Sequence, residues 1–229
     1  MKNILLNIIS ATNSQTEIPK ESFFSLKEKT KQIQSFFNIQ NDSQSSENKI
    51  YFERRENEYK KNNHQQSRIF DIKLLCRVYN AMFLDQPHNS ARYVAKIFEI
   101  QGENLFKETD QEISYYVAAL THYKLNSLIN SKRLDANTYS ALRWHVIFIF
   151  KHLVHKEVKN IQPNSKTMNK YCEKILNVLI SSDRKYEQYF QECFDIINSM
   201  THPSRDVLKR AKYQSDLLEA TKAYLESKI

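Results

Sequence analysis

The chain has 229 residues, 41% of them hydrophobic and 26% charged, with a net charge of +8, which leaves room for a buried core and excludes disorder throughout. Its single glycine excludes phosphate-cradling loops, dinucleotide fingerprints and nucleophile elbows, whose turns need positive φ or close backbone approach to a ligand. Cys76, Cys172 and Cys193 lie far apart without C-x-x-C spacing and read as buried, reduced thiols of a cytoplasmic protein.

Residues 2–11 carry a short apolar run broken by Asn3 and Asn7, which reads as a helix and not a signal peptide, followed by a polar turn over 12–16. Ser25 with Glu28 has capping-box spacing and opens a helix through Ile33, Phe36 and Phe37 to about residue 38. Residues 40–48 are polar and read as a loop. Ile50, Tyr51 and Phe52 are β-formers that need a strand partner from elsewhere. A second polar loop covers 60–66.

Asp71 is the expected N-cap of a helix through Leu75, Val78 and Met82 that stops before Pro87. Ser90 is expected to open the next, with Gly102 at its C′ position. Asp110 or Thr109 caps a long helix from Ile113 to Ile129, and another runs from about residue 136 through Leu153. Three more follow Pro163, over about 166–180, 184–200 and 204–227. The fold class is therefore mainly α, an irregular multi-helix bundle with at most one or two short strands near residues 49–54. Expected units are N-terminal helices and a polar loop over 1–48, a helical core over 49–160 and a three-helix extension over 161–229. No stretch reaches the roughly 18 apolar residues of a membrane span.

No local pattern supplies a catalytic residue, a metal site or a cofactor. His145, His152 and His155 share one predicted helix without an H-E-x-x-H pattern, so they read as half-buried and hydrogen-bonded. Asp42 with Glu47 and Lys49 imitates the spacing of a restriction-type nuclease, but Asp42 lies in a polar loop and not on a strand. Two basic rows at helical spacing, Lys166, Lys170 and Lys174 and then Arg205, Lys209 and Lys212, could follow a phosphate backbone or simply be solvated faces. Arg54, Arg55, Tyr59 and Lys60 with Arg68 mix cations and aromatics as nucleic-acid surfaces do; Glu53, Glu56 and Glu58 equally allow local ion pairing.

Three strings in order carry a resemblance: Ala11-Thr12-Asn13-Ser14-Gln15, Tyr51-Phe52-Glu53-Arg54-Arg55 with Tyr59, and Phe83-Leu84-Asp85-Gln86-Pro87-His88 with Ala91-Arg92-Tyr93. Across about residues 4–155 the chain resembles the AIPR family, the abortive-infection phage-resistance proteins. It departs at Val94, where an aromatic is usual. Family members are longer and carry nuclease-like elements ahead of these strings, so the resemblance implies the rear of such a protein: a piece, one half of a split gene, or a remnant. What it implies is a non-catalytic helical module of an anti-phage defence protein. Expected partners are DNA or RNA, an upstream AIPR half, or restriction-modification-type defence proteins, without a membrane. His88 and Arg92 join Arg54, Arg55, Tyr59, Lys60, Arg68, Arg205, Lys209 and Lys212 as candidate binding residues. The alternatives are a metal-dependent nuclease and a purely protein-interacting subunit.

Overall fold

A computed structural model of the chain describes residues 20–59, 61–92, 94–134, 140–200 and 203–228. The helix and turn expected over 2–16 lie outside them. The described residues form ten α-helices and one two-stranded sheet, so the chain is mainly α, as the apolar spacing predicts.

Helices α1 (Lys20–Leu26) and α2 (Glu28–Ser43) open the described chain. The capping box does not form. Ser25 sits inside α1 and donates its hydroxyl back to the Ser22 carbonyl at 2.7 Å, while Lys27 occupies the N-cap of α2 without a side-chain bond. Helix α2 continues past residue 38 into the expected loop because Asn41 is buried and useful there. Its amide donates to the Ile50 carbonyl at 2.8 Å and accepts from the Ile50 N–H at 3.1 Å, satisfying both polar groups of the residue that enters the sheet.

Strand β1 (Tyr51–Glu53) pairs in parallel with β2 (Ile69–Asp71), in the register Tyr51 with Ile69, Phe52 with Phe70 and Glu53 with Asp71. Phe52 and Phe70 are fully buried, and Phe37 of α2 packs on Phe52 with ring centroids 5.8 Å apart. The Asp71 carboxylate then accepts from the Leu74 N–H at 2.7 Å and caps α3 (Ile72–Met82), as expected.

Helix α4 (Pro87–Ser90) starts with proline at its first turn, and α5 (Val94–Gln101) follows. Ser90 is the last residue of α4 and does not open α5; its hydroxyl donates to the Arg77 carbonyl at 2.9 Å. Gly102 begins a 3₁₀ turn, Gly102–Asn104, and does not have positive φ. Asp110 does not cap α6 (Glu112–Asn130). Its carboxylate instead accepts from the Lys107 N–H at 3.0 Å and the Tyr115 hydroxyl at 2.7 Å.

Helix α7 spans Arg143–His155 and ends at Lys156, which takes the left-handed conformation (φ 54°) that glycine usually supplies. The expected start near residue 136 lies outside the described residues. Then come α8 (Met168–Ile180), α9 (Lys185–Ser199) and α10 (Ala211–Glu226). The last begins later than expected because Val207–Lys209 form a 3₁₀ turn and Arg210 is extended (φ −101°, ψ 136°).

Helices α6 and α7 are the centre of the molecule. Helix α3 packs on both, α8 lies on α6, and α9 and α10 lie on α7. A helix covered on all sides must be apolar on all sides, and Trp144 through Val154 are all buried. His145 and His152 are therefore not half-buried and bonded as their spacing suggested. They are 0% and 2% exposed, and among the described residues no ring nitrogen of either has a hydrogen-bond partner of good geometry. His155, at the helix end, does bond to the Tyr171 carbonyl at 3.1 Å and stacks on that ring at 3.7 Å. Burial holds His145 down to about 3.

Lys151 is also buried in α7, and its ammonium donates to the Met82 carbonyl at the end of α3 and to the Asp85 carboxylate just beyond it. The three cysteines are buried, and none is in a disulfide among the described residues. Among the described residues no helix is long and apolar enough to cross a membrane.

Two predictions follow from this interior. Lys151→Met leaves Asp85 without its buried partner and should cost about 3 kcal/mol in urea unfolding; adding Asp85→Asn, which tolerates the left-handed backbone, should restore part of that. The His145 pKa is lower folded (about 3) than unfolded (about 6.5), so its contribution to stability is complete above pH 6.5 and lost as pH falls toward 3. Urea midpoints should fall across that interval, less steeply in His145→Phe.

Candidate nucleic-acid interface

The clearest cationic feature is a groove between α3, the α4–α5 corner and the approach to α10. Asn80 on α3 sets the corner by donating to the Gln86 carbonyl and the Ser90 hydroxyl, both at 2.9 Å. Arg77, one turn earlier, donates from Nε and Nη2 to the Ser90 carbonyl (3.1 and 2.8 Å) and from Nη2 to the Arg92 carbonyl at 3.1 Å. Arg92 in turn reaches across the groove, its Nη2 donating to the Lys209 carbonyl at 2.7 Å. Guanidinium groups tie three separated segments together here through backbone oxygens, so none of these bonds neutralises a positive charge.

The resulting hollow of about 660 Å³ is lined by Arg77, Arg92, Lys96, Arg205 and Lys209 over an apolar floor of Ala91 and Val94. A smaller hollow of about 280 Å³ shares Ala91, Arg205 and Lys209 and adds Trp144. Arg77 lies over the Trp144 ring at 4.7 Å, a cation–π contact. Among the described residues no carboxylate lines either hollow. Lys96 pairs with Glu99 at 2.8 Å and Lys209 with Asp206 at 3.0 Å, on largely exposed side chains, where such pairs exchange readily for a phosphate. Burial lowers the Arg77 pKa, with Arg143 adding to the effect. The same two arginines add to burial in driving His122, stacked on Trp144, down to about 3. That imidazole is neutral and the positive charge stays on the guanidinium groups.

The structure thus brings Arg92, Arg205 and Lys209 together. Lys212, the other member of that row, is exposed on α10 and paired with Asp216 at 2.9 Å. His88 is buried on α4, its Nδ1 2.7 Å from the Gln214 Oε1 of α10, so it braces the wall of the groove and does not line it.

The remaining candidates lie elsewhere. Arg54 is buried and donates to the Ser25 carbonyl at 2.5 Å and to Gln34 at 3.3 Å, fastening β1 to α1 and α2. It borders, with Arg55, a hollow that also holds Glu53, Glu56 and Asp71, a mixed and not a cationic surface. Tyr59 is half-buried beside Tyr51 and His64. Arg68 donates to the Ser46 and Lys49 carbonyls (2.7 and 2.9 Å) and covers Tyr123, again a structural use. Lys60 lies outside the described residues. Lys170 and Lys174 are exposed on α8, with Lys166 just before it. Asp42 stands in the last turn of α2 and not on a strand. Among the described residues no group of three His, Cys, Asp or Glu side chains converges as metal ligands would.

Arg77, Lys96 and Trp144 were not legible as site residues. Arg77 stands alone in an apolar helical pattern, and nothing local places it beside Arg205.

Over residues 1–202 the chain matches the family model described as AIPR protein, further along than the strings alone reach; Arg205 and Lys209 lie just beyond the match. Neither a curated protein nor a solved structure matches it. The match covers most of the chain, and the chain belongs to the AIPR family, the abortive-infection phage-resistance proteins.

Proposed function

We propose that this chain is a non-catalytic helical module of a phage-defence protein that holds nucleic acid by its sugar–phosphate backbone along the Arg77, Arg92, Arg205 and Lys209 groove. The observation that carries the reading is the Arg92–Lys209 contact across the groove, because it makes one cationic surface from segments 117 residues apart. Neither Arg92 nor Arg205 has a carboxylate partner among the described residues, so both charges are available to phosphate oxygens, which guanidinium groups bind in bidentate fashion. The groove's guanidinium and ammonium groups are hydrogen-bond donors without an acceptor atom. They stabilise an anion and supply no general base. Backbone contacts position a nucleic acid without reading its sequence, which suits a module that presents its ligand to another part of a defence complex.

The test is titration of the folded protein with duplex DNA, single-stranded DNA and RNA across a salt series. Each phosphate contact contributes about 0.7 to 0.9 to the slope of log K against log salt. Lys96→Gln with Arg205→Gln should therefore lower the slope by about 1.5 and weaken all sequences alike, whereas Lys170→Gln with Lys174→Gln on α8 should change neither. No binding at low salt, or a slope indifferent to the groove variant, would refute the proposal.

A further inference from the structure

A second hollow, on the other side of the α4–α10 contact, differs chemically from the groove. It encloses about 450 Å³, within the roughly 300–1,000 Å³ of small-molecule sites. Four separated segments wall it: the turn after α3, the stretch between α5 and α6, the loop before α8, and Gln214 of α10. Its lining is dominated by carboxamides.

Their hydrogen bonds are only partly used within the protein. The Gln101 Oε1 accepts from the Asn104 Nδ2 at 2.7 Å. That leaves the Gln101 NH₂ and the Asn104 oxygen, a donor beside an acceptor, facing no other described partner. Asn160, Gln162 and Asn164, exposed on the loop that forms the outer wall, make no side-chain hydrogen bond among the described residues. The charges present nearly cancel: Asp85 is neutralised by Lys151, and Asp110 lies near Lys107, whose charge works against the upward push of burial on that carboxyl.

The hollow is also where the backbone is strained. Among the described residues six non-glycine residues have positive φ, all of them in turns, bends or at helix ends, and four of them, Asn57, Lys132, Lys156 and Arg184, do not line the hollow. The other two are Asp85 (φ 53°), which lines the hollow, and Phe106 (φ 54°), which directly precedes its Lys107. A bulky aromatic residue there is uncommon, and such strain persists only where the surroundings enforce it. Here the Tyr115 hydroxyl, which accepts from the Phe106 N–H at 2.7 Å and donates to Asp110 at 2.7 Å, enforces it.

We infer that this hollow binds an uncharged nucleoside through its base. Carboxamides present a donor and an acceptor in one plane, the complement of a base edge, and Leu84 and Pro163 offer apolar faces to the ring. With Lys107 set against Asp110 the lining carries little net charge and attracts a phosphate far less than the cationic groove does, which separates the two sites, and the inference does not rest on the groove.

The test is calorimetric titration of the full chain with adenosine, guanosine, cytidine and uridine, their 5′-monophosphates, and glucose as a polyhydroxyl control. The expected result is saturable binding of at least one nucleoside, no tighter binding of its monophosphate, and no binding of glucose. Gln101→Ala and, separately, Asn164→Ala, each checked for native helicity, should weaken it by tenfold or more, while Lys96→Gln with Arg205→Gln should leave it unchanged. Absence of binding by all four nucleosides, equal binding of glucose, or affinity unaffected in both carboxamide variants would overturn the assignment.

Discussion

An ammonium group buried in the middle of α7 is the joint on which the rest of the molecule turns. Lys151 cannot reach water, and a charge held in a low-dielectric interior is tolerated only with good partners. It finds them in the last carbonyl of α3, at Met82, and in the Asp85 carboxylate. Those two bonds end α3 where they do and hold the chain in the left-handed turn at Asp85. From that turn Pro87 starts α4, and the corner carrying Arg92 is aimed at α10. Both hollows inherit their shape from this one contact: Asp85 and Gln86 wall one, and Ala91 and Arg92 wall the other.

Around that joint the protein uses long cationic side chains as cross-links to backbone oxygen. Arg54 fastens the sheet to α1, Arg68 closes the chain before β1 onto the segment before β2, and Arg77 and Arg92 stitch the α4 corner to its neighbours. A chain with one glycine has few tight turns available, and guanidinium groups, with five donors in a fixed fork, can gather loop carbonyls that would otherwise be unsatisfied. Where this happens at the surface and without carboxylates, the side effect is a concentration of positive charge. The net charge of +8 is therefore unevenly spread. It is diluted by glutamates near β1 and less so in the groove, where Arg77, Arg92 and Arg205 have no carboxylate partner among the described residues.

The surroundings of α7 explain why His145 and His152 are fully buried where their spacing suggested half-burial. In Arg143–His155 the polar residues are few, and His145 and His152 are spaced as if they belonged to a wet face. Packing by α3, α8, α9 and α10 leaves no wet face. The imidazoles are held neutral by burial. Periodicity reports which faces are apolar and is blind to how many neighbours a helix will acquire.

The sequence alone determined the helical class, the positions of most helices, the Asp71 cap, a short strand near residues 49–54 and, through its ordered strings, the family. These depend on residues within a few positions of one another, or on residue identity. What only the tertiary structure decided is which cations meet. Of ten candidate binding residues, the fold gathers Arg92, Arg205 and Lys209, buries Arg54 and His88 as braces, and adds Arg77 from an apolar helix. It also decided that Ser25, Ser90 and Asp110 spend their oxygens on partners other than the helix starts their spacing suggested. A side chain's local pattern states the bonds it is able to make; which of them it makes depends on the acceptors that packing brings within reach.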